Sequence, residues 1–316
     1  MGHGYGRVAL VSGGSRGIGA ATVRRLAAAG WDISFCHHHD APSAFEAEEV
    51  EQAASELGAR VLAVQADTTR ATEVTSWVRR AEEVLGPVQA VVSCAGISRD
   101  RPLTLLQDAD WRAVIDTNLD GVFQLCRAVL PAMMERRSGR IVTVSSVSAV
   151  YGDADPSSER GAGAARAGIV GFTSALAGQT GRYGIRANAI TPGANVSRTE
   201  TTAIWPERTT TTARLTEAIA LRRFASAAEA ADRVAFLLSD AAADITGTLV
   251  EVPSSIGWPI EGMAIGGLAI GAGLHPVEGL GVAERAAHRR PVGRERPDLE
   301  VRLPAGHRRG DLVLAA

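Results

Sequence analysis

The sequence contains no lysine. Its 316 residues include 33 Lys-or-Arg positions, and every one of them is arginine. Chemistry that needs a side-chain amine, such as a Schiff base or a proton-shuttling ammonium, therefore has no group here to perform it. Aromatic residues are scarce at 4%, and a phenolic proton donor has three sources, Tyr5, Tyr151 and Tyr183. The three cysteines, Cys36, Cys94 and Cys126, are odd in number and widely spaced. That excludes a disulfide framework and a cysteine-rich zinc site, and suits buried thiols in a reducing cytoplasm. Charge of either sign is not in excess: the formal net charge is -2. No nucleic acid or membrane surface is expected as a partner. No uncharged apolar run reaches membrane-spanning length, because "MAIGGLAIGAGL" at 263–274 is short and glycine-rich. The chain enters its first apolar run without a basic-apolar-small leader, so no signal peptide is expected.

What the sequence does have is 46% hydrophobic residues in a strongly alternating order. Short β-branched runs at 7–12, 31–36, 59–65, 88–93, 140–146, 185–191 and 247–252 have the continuous apolar character of parallel strands buried on both faces. Between them, stretches such as "GAATVRRLAAAG" and "EVTSWVRRAEEVLG" carry a 3.6-residue period and stop at glycine. This pattern predicts an α/β fold: a Rossmann-like, doubly wound, parallel seven-stranded sheet with helices on both faces, forming one domain over residues 1–256. Two segments fall outside the pattern. Residues 194–215 are threonine-rich and aperiodic, as suits either a lid or a surface loop. Residues 257–316 scatter proline, glycine and arginine without period and are expected to form a mostly irregular C-terminal extension.

The first strand runs into "SGGSRGIG" and then a helix. Gly13, Gly17 and Gly19 allow a tight turn, and let the backbone amides around Ser15, Arg16 and Ile18 approach a pyrophosphate at the helix N-terminus. After the second strand, "FCHHHDAP" offers no acid until Asp40 to bind a ribose 2′-hydroxyl, while Arg16 offers a guanidinium suited to a 2′-phosphate. NADP (as NADPH) is therefore the expected cofactor. His37 and the two histidines after it form a polar loop near the adenosine phosphate. Consecutive residues of an extended chain point alternately, so no metal site is expected there.

These motifs resemble those of the short-chain dehydrogenase/reductase family, in its 3-oxoacyl-carrier-protein reductase-like branch. Gly13-x-x-x-Gly17-x-Gly19 has that family's spacing. The resemblance implies that Asp67 and Thr68 of "QADTT" meet the adenine. It implies that Ala95 and Gly96 of "SCAG" form the turn after the fourth strand, with Ser93 where the family has asparagine. It places Asn118 of "DTNLDGVF" at a helix asparagine that anchors a water relay, Ser146 of "RIVTVSSVSA" at the catalytic serine, and Pro192 and Gly193 of "AITPG" beside the nicotinamide. It covers roughly residues 5–252; the tail lies outside it, and "VEVPSSIGW" stands where the family usually has V-D-G-G.

The departure lies in "SSERGAGAARAGIVGFT", residues 157–173. The family's helix carries Y-x-x-x-K: the tyrosine protonates the substrate carbonyl, and the lysine holds the ribose and lowers the tyrosine pKa. Aligned on "AGIVGFT", the tyrosine position falls on Ala162 and the lysine position on Arg166. Arg166 can hydrogen-bond a ribose and supply charge, but it cannot relay a proton at neutral pH. Tyr151, five residues after Ser146, is the substitute donor with a plausible position, and Glu159 is another. The expected function is an atypical NADPH-dependent ketone or quinone reductase, of a kind suited to tailoring polyketide-like natural products. The alternatives are non-redox catalysis, such as cyclisation or dehydration in the same pocket, and a non-catalytic partner subunit. The resemblance further implies a homodimer or homotetramer acting on a small molecule.

Overall fold

The computed structural model describes residues 7–99, 103–146, 149, 160–192 and 221–252. Tyr151, Glu159, Gly193, the 194–215 segment and the 257–316 extension lie outside the described residues. The elements run β1 (Arg7–Ser12), α1 (Gly17–Ala28), β2 (Trp31–His37), α2 (Ala41–Ser55), β3 (Val61–Gln65), α3 (Ala71–Leu85), β4 (Val88–Ser93), α4 (Asp108–Ile115), α5 (Gly121–Arg136), β5 (Gly139–Val144), α6 (Arg160–Thr180), β6 (Ile185–Pro192), α7 (Ala227–Leu238) and β7 (Leu249–Val252).

The seven strands form one sheet in the order β3-β2-β1-β4-β5-β6-β7, and every neighbouring pair is parallel. The expected doubly wound architecture is therefore the observed one. Parallel pairing forbids tight hairpins, so each crossover must cover a sheet face. Along β1, Ala9 and Val11 point to one apolar layer, with Val23 and Leu26 of α1, Val50 of α2 and Val234 and Leu237 of α7. Val8 and Leu10 point to the other, with Trp77 and Leu85 of α3, Leu125 and Met133 of α5 and Ile169 of α6. Burying each such large side chain contributes about 1.5–3 kcal/mol. The largest, Trp77, also satisfies its indole N–H on Ser34 Oγ at 2.8 Å.

The helix starts follow from local sequence. Asp40 caps α2 by accepting the Ser43 amide at 2.7 Å, and Ser226 with Glu229 forms a reciprocal capping box on α7. α1 has no side-chain cap and no acidic residue in its first turn. Its N-terminal amides face the crevice where β1 lies beside β4, the point at which the strand order reverses.

Candidate nucleotide and active site

Two turns meet in that crevice. The glycine loop leaves β1 at Ser12, and the β4 turn leaves at Ser93, its partner in register. Gly13 has φ +65, and a Cβ there would lie 2.8 Å from Ala95 Cα. A Cβ on Gly14 would lie 2.5 Å from Phe35 Cβ, and one on Gly19 would lie 2.0 Å from the Gly13 carbonyl oxygen. The loop is thus pressed against β2, the β4 turn and its own helix. Gly17 (φ +55) differs, because nothing lies within 4 Å of a Cβ built there. Its open side, next to the uncapped start of α1, is a cradle lined by backbone amides, and it fits the phosphates of a dinucleotide.

Side chains lock the loop in place. Ser15 Oγ lies 3.1 Å from Ser43 Oγ, both buried, which joins the loop to α2. Ser12 Oγ accepts the amides of Cys94 and Ala95, each at 3.2 Å. Arg16 extends toward α2, with Nη1 3.7 Å from Glu46 Oε2. The three histidines diverge: His37 Nδ1 lies 3.0 Å from the His38 carbonyl oxygen, His38 pairs with Asp40 and His39 with Glu73.

After β3, Asp67 Oδ1 accepts both the amide and the hydroxyl of Thr69, at 2.9 and 2.8 Å. Burial pushes the Asp67 carboxyl up. The Thr69 hydrogen bonds and the nearby Arg70 outweigh it, so the carboxyl stays below the ordinary aspartate value. Thr68 is buried against the start of α5, where a Cβ on Gly121 would meet Thr68 Oγ1 at 3.0 Å.

Asn118 sits in a π-helical turn, Asp116–Asp120, that joins α4 to α5. Its side chain is buried and bonds twice to one residue: Oδ1 accepts the Ile97 amide at 2.8 Å, and Nδ2 donates to the Ile97 carbonyl at 2.9 Å. The side chain thus clamps the β4 turn. Such wide turns occur often at functional sites, because the extra residue re-aims one side chain.

Ser146 follows the end of β5 and is half-buried. Beside it, Ser145 Oγ donates to the Arg166 carbonyl at 2.8 Å, while Arg166 Nη1 donates to the carbonyls of Ser145 (3.0 Å) and Val144 (3.3 Å). Its other terminal nitrogen points toward the β4 turn: a Cβ on Gly96 would lie 3.2 Å from Arg166 Nη2 and 3.1 Å from Asn118 Oδ1. Arg166 thus brings charge to the place where the turn, the π-helical asparagine and the end of β5 converge. The Cys94 thiol nearby is pushed up to about 12, chiefly by desolvation. One turn before Arg166, Ala162 is 1% exposed and packs with Val114, Ala165, Ile97, Ile115 and Leu119. Pro192 ends β6 within the same sheet end.

Fold and site together define a doubly wound α/β protein whose crevice, at the reversal of strand order, holds the half-buried Arg166. A family model described as short chain dehydrogenase matches residues 7–208. The acetoacetyl-CoA reductase of Allochromatium vinosum is 35% identical over 247 residues, covering 78% of this chain and 96% of that protein. The 3-oxoacyl-[acyl-carrier-protein] reductase FabG of Escherichia coli (strain K12) is 35% identical over 248 residues, with the same coverages of 78% and 96%. A crystal structure of a point variant of actinorhodin polyketide ketoreductase with NADPH superposes with TM-score 0.72 at 29% identity, over 79% of this chain and 97% of that one. The chain belongs to the short-chain dehydrogenase family, and the relatives named here are ketoreductases.

Proposed function

We propose that this protein is an NADPH-dependent reductase of aromatic ketones or quinones that works without the usual tyrosine–lysine relay. The observation that carries the reading is the intact crevice beside a substituted helix. The Gly17 cradle, Asp67, the clamped β4 turn and Arg166 support it, as does the buried alanine, Ala162, at the position where the resemblance expects the acid. When bound, the nicotinamide supplies the hydride. Gly13, Ser15, Gly17, Ile18 and Gly19 hold the phosphates with backbone amides, and Arg16 and His37 border the 2′-phosphate. Asp67 and Thr68 would border the adenine, and Ala95, Gly96, Asn118, Arg166 and Pro192 would frame the nicotinamide half; Gly193, outside the described residues, is proposed for that half from the sequence motif. Arg166 would bind the ribose and offset charge developing on a substrate oxygen. Ser146 would donate a hydrogen bond to that oxygen. The proton comes from the substrate's own hydroxyl groups, from water or from Tyr151, and this restricts efficient substrates to those that stabilise an oxyanion internally. Polyketide-like phenolic ketones have that chemistry.

The test is NADPH oxidation followed by absorbance, with a hydroxylated aromatic ketone and a simple 3-oxoacyl thioester as substrates. Faster reduction of the aromatic ketone is expected. Equal, rapid turnover of both would show that a general acid is present after all. Substrate conversion without NADPH oxidation would favour non-redox chemistry, and nucleotide binding with no conversion at all a partner subunit. In the phosphate half, Arg16→Ala should narrow the preference for NADPH over NADH in a calorimetric titration, and equal affinities in the parent would remove the phosphate-contact argument.

We also infer a homo-oligomer built on α4, α5 and α6. Phe123 on α5 is 41% exposed, and Gly171 and Gly178 on α6 have open space before them, so a second copy can approach closely. A monomer in light scattering at micromolar concentration would contradict this. The thiols of Cys36, Cys94 and Cys126 are all free, which suits the reducing cytoplasm. Residues 257–316 are proposed to be an extension that the 1–256 domain does not need.

A further inference from the structure

Arg16 does not stand alone in the phosphate half of the crevice. The face of α2 turned to the glycine loop presents Ser43 and, three residues on, Glu46, which are neighbours on one side of a helix. Ser43 is fastened to Ser15, so the next loop residue, Arg16, is held opposite Glu46. The ion pair is loose, a single 3.7 Å approach between side chains 45% and 32% exposed. Its carboxylate end differs from an ordinary surface pair. Glu46 Oε2 is shielded from solvent and has no hydrogen-bond donor among the described residues, so on that side of the carboxylate Arg16 is the cation that faces it. Asp40, at the start of the same helix, adds a second carboxylate within reach of Arg16, and His38 pairs with it. Among the described residues, Glu46 and Asp40 are the carboxylates coupled to Arg16, with His38 paired to Asp40.

We infer that Glu46 is the specificity-setting residue of the 2′-phosphate pocket: it holds Arg16 when the ribose carries a hydroxyl and opposes the phosphate when it carries one. The inference rests on the nicotinamide-cofactor reading above. With NADH the Arg16–Glu46 pair persists. With NADPH the guanidinium would turn to the phosphate, leaving Glu46, whose Oε2 is shielded and lacks a donor among the described residues, as a like charge beside a dianion. The preference for NADPH is therefore narrower than Arg16 alone would give, and NADH remains a usable ligand.

The experiment is calorimetric titration of the full-length parent and Glu46→Gln proteins with NADPH, NADH and 2′,5′-ADP, at low and high salt. Glu46→Gln keeps the side chain's size while removing its charge. Removing a like charge beside a phosphate dianion is expected to tighten NADPH and 2′,5′-ADP by roughly three- to tenfold, with NADH within about twofold. The gain should shrink at high salt, a response that a purely structural role would not give. Unchanged or weaker NADPH binding by the variant, with the parent binding normally, overturns the inference alone. If Glu46→Gln proves poorly folded by circular dichroism, Glu46→Ala and Glu46→Asp carry the same comparison, and only the alanine change should tighten NADPH. Failure of the parent to bind any of the three nucleotides overturns the cofactor reading and this inference with it.

Discussion

Replacing Asn118 with alanine should damage both the stability of the fold and the nicotinamide half of the crevice. The side chain is 1% exposed and makes two bonds to Ile97, at 2.8 and 2.9 Å. Each such bond contributes about 0.5–1.5 kcal/mol net, and a backbone group left buried without a partner costs about 1–3 kcal/mol. If water reaches one of the two freed Ile97 groups, the loss is roughly 2–4 kcal/mol. In a domain of this size that corresponds to a fall in Tm of about 4–16 °C. Asn118→Asp separates the two bonds: the introduced carboxylate still accepts the Ile97 amide but faces the Ile97 carbonyl, where it must be protonated to donate. The facing carbonyl and burial should raise its folded pKa above the unfolded value of about 3.9, against the smaller opposing pull of the nearby Arg166 guanidinium. The native contribution is then full below that value and lost as pH rises through the folded pKa. Thermal melts from pH 3.5 to 8, with nucleotide titration at each end, measure both effects. A Tm for Asn118→Ala within about 1 °C of the parent, with unchanged nucleotide affinity, would refute the clamp.

The other predictions are briefer. Gly19→Ala should abolish nucleotide binding in calorimetry, because its methyl would lie 2.0 Å from the Gly13 carbonyl oxygen and force the loop out of place. Ala162→Tyr with Arg166→Lys should raise NADPH-dependent turnover of a simple ketone at least tenfold, by restoring a positioned general acid. Because Ala162 is buried against Val114 and Ile97, the tyrosine alone should do less and should cost stability. Glu229 is lowered from 4.5 to about 2, first by its hydrogen bonds from Arg223 and then by the Ser226 amide. Its stabilisation of α7 is present above pH 4.5 and lost as pH falls toward 2, so Glu229→Gln should flatten that limb of an acid titration followed by circular dichroism. Truncation after Ser255 should leave a protein with a cooperative melt, and an unfolded product would show that the extension belongs to the core.

The sheet was legible because its strands are buried on both faces and announce themselves as apolar runs. Their ends were less so. The third run was expected from residue 59, yet β3 begins at Val61, since Arg60 is drawn off to Asp32 by its amide and side chain. The fifth was expected to reach 146 but ends at Val144, where Ser145 turns to bond α6 and the Ile190 carbonyl. The glycine loop was legible from spacing, because each glycine meets a fixed steric demand. The π-helical turn was not, as no residue pattern marks an i→i+5 bond. Nor were the Ser15–Ser43 and Arg16–Glu46 contacts, which depend on how α2 is rotated about its axis and join positions 28 residues or more apart. That the chain has no lysine is plain from composition; that Arg166 grips the Val144 and Ser145 carbonyls required the packed helix.

The pairing of β1 with β4 brings Ser12 against Ser93 across some eighty residues of intervening chain. The two walls of the crevice therefore come from parts of the polypeptide that share no local contact while the chain is still open. A partly folded species containing only the β1–β2–β3 half would have the phosphate loop but no β4 turn to close it. Contacts this distant in sequence form slowly. A dinucleotide that spans both walls recognises only the completed sheet, and at a hundred times its dissociation constant it would add about 2.7 kcal/mol to native stability. Cellular nucleotide supply would then influence how much of the chain persists folded, whatever the rate at which any substrate is turned over.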